Sequence, residues 1–583
     1  MILAWLLHAV YTTVLAYGLS TTFGGLSPTV AIISLIGGTI FGWRHARALH
    51  KIYPDLRLKA FSPGQAGVIE LALTVFIVYA CGRHFMWMLY PADASLNSLS
   101  LNNFGDLPMH VNYIKSFANG LKFPPVNPSY AMEPLRYPLG VDLYDAVWEV
   151  LGLRMAAHLF LVGILSTLAS LILLRKYAGW WGIGAFFLNG GIATIAALSS
   201  SSIDPQSGLE WKNLLLSVFI TQRGMLFALP VGLLILIAVR DHLSGAKVLD
   251  GGRKTLIGLL WGFIPLFHLH AFVAISLILA GVAFEYGRAT GIAKFLLSRI
   301  TLVAFFPATS FILYSTGFLQ KAGVAHIDWL WTWDPEKMSF AQFMITNFGL
   351  WLLVPVAIGV SLWAKGGPWP KEERDRMAIE LMWQFALWVI FFNVMLAPWG
   401  WDNIKVLIWP YLGFARLANQ TLEKRIGHLW EPVERPVFAT ALFLAGFISV
   451  ISSIRAPERK AVGIYNRGEL ANTEGAIQDV PLAAVFAAAP THNHPLTYFG
   501  RLRALGYEGH LWSHGINATE TAAKQNKIMK GEEGWLEAAR SLGVTHIFWG
   551  PAEREKYGEG ERPWMTVLSN VSRVPDYAIY AVK

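Results

Sequence analysis

The chain has 583 residues, 54% of them hydrophobic and only 15% charged, with 24 Trp and a single Cys. Its mean hydropathy is +0.44. Soluble domains carry charge at roughly a quarter of their positions, so this composition excludes an ordinary water-soluble enzyme. Several apolar runs approach the roughly 20 residues that cross a bilayer. The formal charge of +9 does not signal nucleic acid, because the basic residues gather in short loops between apolar runs. Cys81 lies inside such a run, which leaves neither a disulfide nor a Cys-based metal site within the chain.

In chain order, the apolar runs predict membrane helices near 2–18, 28–43, 66–90, 157–174, 178–198, 224–240, 255–267, 270–286, 298–315, 347–364, 377–397, 404–421 and 436–453. The first lacks a basic leader and reads as a span rather than a cleavable signal. Basic clusters then fall on one side of the membrane: Arg44 to Lys59, Arg175 and Lys176, Arg240 to Lys254, Arg288 to Arg299, 365–376, and Lys424 to Arg435. The positive-inside rule makes that side cytoplasmic. The other side receives a large loop at 91–155, then 199–223, 315–346, the 399–403 corner and everything after Ile454. Two regions follow, a membrane part at 1–454 and an extracytoplasmic part at 455–583. In the latter, apolar runs at 483–488, 545–549 and 577–582 alternate with helical stretches at 521–529 and 534–542, the pattern of a small α/β domain.

The outer loops concentrate polar residues of catalytic type. Segment 102–140 reads NNFGDLPMHVNYIKSFANGLKFPPVNPSYAMEPLRYPLG, with Asp106 as its only Asp and His110 one helical turn later. Arg136 and Tyr137 follow in the same loop. Gln222 and Arg223 open the sixth run, and His268 and His270 separate the seventh from the eighth. Asp328 and Asp334 flank a Trp-rich run, while Asp402, Asn403 and Lys405 open the twelfth helix. Ionisable groups at membrane depth are costly and face the bundle interior or a wet cavity. A carboxylate there can act as a general base, and Arg or Lys can hold a phosphate. Each has a plainer reading. Asp106 can cap a helix before Leu107 and Pro108. Arg223 can anchor a span end. Asp402 and Lys405, three residues apart, can neutralise one another. His268 and His270, two apart, do not share a helical face, which argues against a two-ligand metal site.

An acid opening a large outer loop, followed by FANGLKFPPVNPSY and RYPLG, resembles the GT-C membrane glycosyltransferases. The stretches GYEGHLWSHGINATE and GVTHIFWGPAEREKYG are similar to the ends of multispan bacterial and archaeal proteins of that superfamily. The resemblance implies a polytopic α-helical protein of about 13 transmembrane helices in a bacterial or archaeal cytoplasmic membrane. Its implied activity is inverting transfer of a hexose or pentose from a polyprenyl-phosphate-type donor on the extracytoplasmic face. The acceptor would be a hydroxyl of a glycan, a lipid or a protein. Asp106 takes the place of the family's base, with His110 beside it. Arg136, Tyr137, Gln222, Arg223, His268, His270, Asp402, Asn403 and Lys405 are the candidates for substrate contact. Many members carry a paired acid in this loop, whereas here no second acid precedes Glu133. A metal bridged by two neighbouring carboxylates is therefore not expected, and no cofactor is specified. Two other classes fit the same spans: a transporter or lipid flippase, and a non-enzymatic envelope assembly protein whose tail binds polymer.

Overall fold

The computed structural model describes residues 1–57, 67–197, 206, 208–315, 326–327, 333, 338–364, 368–396, 400–426, 434–454 and 461–582. Asp328, Asp334 and most of the Trp-rich run lie outside these residues. Helices dominate the membrane part: α1 (Ile2–Phe23), α2 (Pro28–His50), α3 (Val68–Met86), α4 (Asn103–Ala118), α5 (Gly140–Val150), α6 (Met155–Phe187), α7 (Ala193–Ala197), α8 (Met225–Leu243), α9 (Gly251–Phe267), α10 (Leu269–Leu296), α11 (Arg299–Ser315), α12 (Phe340–Phe348), α13 (Leu353–Trp363), α14 (Lys371–Asn393), α15 (Ile404–Ile426) and α16 (Glu434–Ile454). Local signals set several boundaries. Ser27 accepts a hydrogen bond from the Val30 amide ahead of Pro28 at the first turn of α2, the usual chemistry of a helix start. The fourth and fifth apolar runs meet within α6 at a kink, where Ala178 and Gly179 leave helical geometry and two helices join.

Among the described residues, five helical stretches are long and apolar enough to cross a bilayer: Ile2–Phe23, Met155–Phe187, Met225–Leu243, Leu269–Leu296 and Phe340–Trp363. The last joins α12 to α13 through a tight turn at Gly349–Leu352. Helix α8 is the axis of the bundle, buried at every position from Met225 to Val239. A helix apolar all round belongs inside other helices or in lipid, and here α6, α9 and α10 enclose it. The outward faces stay apolar, with Ile32, Ile33, Ile36 and Ile40 exposed on α2 and Leu353, Val356 and Val360 on α13. Continuous exposed apolar bands of this kind suit contact with lipid rather than water.

A buried ion quartet ties four helices together. Arg240 on α8 donates to Glu285 on α10 at 3.1 Å and to Glu380 on α14 at 2.9 Å, and Arg416 on α15 also grips Glu380. Two cations face two anions. That balance offsets much of the desolvation cost that an unpaired buried charge would carry.

Short strands flank α4 and follow α16. Strands β1 (Tyr90–Ala92) and β2 (Ser95–Ser98) form a hairpin, β3 (Val126–Asn127) and β4 (Tyr130–Pro134) form a second, and α4 lies between them. A short pair, β5 (His326–Ile327) with β6 (Val394–Met395), joins two later loops. After α16 come β7 (Val462–Asn466), β8 (Val485–Ala487), β9 (Leu502–Arg503), β10 (His546–Trp549) and β11 (Ala578–Ala581). The last four form a sheet in the order β11-β10-β8-β9, with β8 parallel to both neighbours and β11 antiparallel to β10. Helices Thr519–Lys530 and Trp535–Ser541 pack on it, burying Ile528, Met529 and Ala539.

This C-terminal part is stitched to the loop that carries Asp106. Strand β7 adds to β2 antiparallel, so one sheet spans both segments. Ser116 and Asn119 on α4 donate to the carbonyls of Gly500 and Phe499 at 3.0 and 2.8 Å. The Arg503 and Gly506 amides donate to the carbonyls of Pro128 and Ser129. The C-terminal part therefore fixes where α4 points.

Candidate functional site

Asp106 does not cap α4. The helix begins after Asn102, and Asp106 sits within the first turn, where a carboxylate is favoured by the helix dipole. Its Oδ2 accepts a hydrogen bond from Gln222 Nε2 at 3.0 Å. Gln222 is delivered by a π-helical turn, Leu215–Phe219, and by a close approach at Gly224, where a Cβ would meet the Phe267 carbonyl at 2.1 Å. Asp106 is partly exposed. Burial pushes its carboxyl above the ordinary Asp range; His110 and Lys405 oppose that shift and Asp402 adds to it. The charge of a second acid, Asp402 in the turn before α15, therefore acts on Asp106 from outside its own loop.

One turn along α4, His110 Nδ1 donates to the Asp142 carboxylate at 2.9 Å, and His110 Nε2 is buried with no hydrogen-bond partner among the described residues. The carboxylate on Nδ1 fixes the orientation of the ring and turns Nε2 away from it. Tyr137 leans over this pair, its ring 6.0 Å from His110 and 4.9 Å from His514. Arg136, from the same turn, is held by Glu133 at 3.0 Å.

Behind the pair runs a chain of buried charges. Arg223 Nε lies 3.7 Å from Asp142, and its guanidinium grips Asp145. Asp145 accepts from His158 Nδ1 at 2.8 Å, His158 Nε2 meets Glu149 at 2.9 Å, and Glu149 pairs with Lys115 on α4. Arg223 was expected at a lipid phosphate. It is instead 1% exposed and enclosed by two carboxylates and the Met88 sulfur. It anchors Asp142 and does not line the mouth.

The remaining candidates divide in the same way. Lys405 pairs with Asp402 at 3.1 Å, and its charge acts on both Asp106 and His514. Asn403 donates to the Phe391 and Val394 carbonyls and accepts from the Leu396 amide, so its amide clasps the end of α14. His268 caps α10, its Nδ1 accepting from the Ala271 amide at 3.1 Å. His270 lies 5.8 Å from it, ring to ring, with Nε2 buried and unpartnered among the described residues.

Sequence reasoning missed two groups. The first is Asp142, Asp145 and Glu149, spaced i, i+3, i+7 along α5, with His158 beyond. That spacing marks one helix face and was readable in GVDLYDAVWEV. The second is a trio of histidines from the C-terminal part. His492 packs its ring 4.3 Å from Phe104, His510 lies beside the Gly105 backbone, and His514 covers Tyr137. Burial, helped by neighbouring cationic groups, pushes His510 down to about 4 and His514 to about 3. His510 and His514 stand in the quoted stretch GYEGHLWSHGINATE, but nothing in its spacing says that they cross to α4.

Asp106 is engaged by Gln222 and His110 by Asp142, and among the described residues no three His, Cys, Asp or Glu side chains gather at ligand spacing.

No family model matches the chain, and no curated protein does. Among solved structures, the chain is similar to the Archaeoglobus fulgidus oligosaccharyltransferase tethered to an acceptor peptide containing the NVT sequon. The identity is 12%, the TM-score 0.47, and the match covers 88% of this chain and 74% of that one. The apo form of the same enzyme matches at 12% identity and a TM-score of 0.42, covering 82% and 69%.

Proposed function

We propose that the protein is a membrane glycosyltransferase that moves a sugar from a polyprenyl-phosphate-type lipid to an acceptor hydroxyl. On this reading Asp106 is the general base, and the site and the C-terminal part face the extracytoplasmic side. The observation that carries the reading is the pairing on α4. A carboxylate with a raised proton affinity stands one turn from a histidine whose Nδ1 is fixed by Asp142 and whose Nε2 is free. A structural ion pair does not need a free imidazole nitrogen; a group that handles a proton does.

The chemistry follows from the parts. A lipid-linked donor keeps its chain in the bilayer while the acceptor arrives from water, so base and cation must meet at the rim of an apolar bundle. The acceptor hydroxyl donates its hydrogen bond to the Asp106 carboxylate, beside the ring of His110. Asp106 takes the proton as the acceptor oxygen bonds to the anomeric carbon. The bond from that carbon to the donor phosphate breaks in the same step, and the lipid phosphate leaves with the electron pair. A single displacement inverts the anomeric centre. Lys405, whose charge acts on Asp106, and Arg136 stabilise the charge developing on the departing phosphate, where fixed cations act most strongly. Tyr137 and the three histidines from the C-terminal part form the acceptor side. The thirteen helical runs and the division near residue 455 belong to the same reading, with 461–582 acting as the acceptor-facing unit.

The test is the lipid itself. The protein purified with its native lipid and analysed by mass spectrometry is expected to carry a polyprenyl-phosphate species. Recovery of bulk phospholipid alone, with no turnover of any polyprenyl-phosphate sugar, would contradict the reading.

A further inference from the structure

The other end of the bundle holds a pocket. Helix α8 starts next to Arg223 and ends at Leu243, and α10 starts next to His268 and ends at Leu296. At about 1.5 Å per residue, His242 and Tyr286 lie roughly 25 Å along these helices from the Asp106 end. That is close to the hydrocarbon thickness of a bilayer. Here α8, α9, α10 and the start of α11 enclose about 330 Å³, lined by His242, Lys254, Tyr286, Thr290, Lys294 and Ser298. Small-molecule sites occupy roughly 300–1,000 Å³.

The chain is shaped to make this space. Arg288 takes a left-handed backbone, φ 53, and bends α10 so that its last two turns fold back. Gly291 then lies on the Ala283 carbonyl, where a Cβ would come within 2.3 Å. The charge is uncompensated. Asp250 is taken by Arg253 at 2.6 Å and Glu285 by Arg240 at 3.1 Å, while Lys254 and Lys294 have no carboxylate partner among the described residues. Beside the pocket the surface turns apolar, with Leu296, Leu297, Leu302, Phe305 and Phe306 exposed on α10 and α11.

We propose that this pocket binds the phosphate of an anionic lipid, held between Lys254 and Lys294, with its acyl chains along the apolar face of α10 and α11. Ammonium groups facing a hydroxyl-lined cavity suit a phosphate ester, and basic pockets between transmembrane helices take anionic headgroups. The inference stands apart from the Asp106 site and from the reaction proposed there.

Native mass spectrometry of the full chain in detergent, titrated with phosphatidylglycerol or phosphatidylcholine, tests it. The wild type should bind phosphatidylglycerol at least tenfold more tightly than phosphatidylcholine. Lys254→Glu with Lys294→Glu should abolish that preference, and Lys247→Glu, an exposed position outside the lining, should leave it unchanged. Gly287→Leu fills the pocket without altering charge, since a Cβ there meets open space, and should weaken binding to a similar degree. Unaltered preference in the pocket variants, or equal loss in Lys247→Glu, would overturn the proposal. Displacement of the lipid by glycerol 3-phosphate at equal concentration would assign the phosphate to a soluble ester and overturn the lipid.

Discussion

Asp106, His110 and Arg223 have different jobs although all three are polar residues at the same end of the bundle. Asp106 holds its proton to a higher pH when folded than when unfolded, because burial disfavours its anion. The folded state therefore binds more protons in that window, and stability is greatest below the ordinary Asp pKa of about 4 and falls as pH rises through the raised value. Thermal unfolding in detergent between pH 4 and pH 7 should show a smaller fall for Asp106→Asn than for the wild type; equal slopes would contradict the raised value. Arg223→Ala should act on the fold. Removing one partner of a buried pair costs about 3–5 kcal/mol, here by stranding Asp145 and loosening Asp142. A variant that melts like the wild type would show that the guanidinium is not the anchor. The i, i+4 relation of Asp106 to His110 was legible in the sequence. The inward turn of Arg223 was not, because its partners Asp142 and Asp145 lie some 80 residues earlier and no local rule links them.

At the scale of elements, α4 and α5 form the site as a pair. The acid face of α5 is readable once the segment is taken as a helix, but its Pro/Gly-rich surroundings favour reading the whole stretch as loop. Fixing α4 falls to the C-terminal part through β7 and the Gly500 and Phe499 carbonyls. That part also lends two histidines held neutral at about 4 and about 3. The unfolded chain takes up protons there below the ordinary His pKa of about 6.5. Stability should then drop as pH falls from about 6.5 towards 4, by up to about 1.4 kcal/mol per pH unit for each histidine. A melting series from pH 7.5 to pH 5 should be steeper for the wild type than for His514→Gln. Identical curves would mean that His514 is not buried against Tyr137.

For the molecule as a whole, hydropathy located the helical runs well: a described helix begins within a few residues of nearly every one. The break near Ala178, read as a gap between spans, is a kink within α6 at which two helices meet. Pairings between distant segments were beyond reach, since β2 with β7 and Asp106 with Gln222 are separated by hundreds of residues or by several helices. Periodicity reports which face of an element is buried, not what buries it. The second acid near Asp106, Asp402, belongs to the same class of fact.

The central claim is that Asp106 removes a proton during sugar transfer. Its most direct test is single-turnover transfer from a radiolabelled polyprenyl-phosphate sugar, wild type against Asp106→Asn, with His110→Gln alongside. Loss of a general base costs about 10²–10⁴-fold in rate. The account predicts a loss in that range for Asp106→Asn with donor binding retained and the protein still folded at the assay pH, and a smaller loss for His110→Gln. Transfer by Asp106→Asn at the wild-type rate would contradict it.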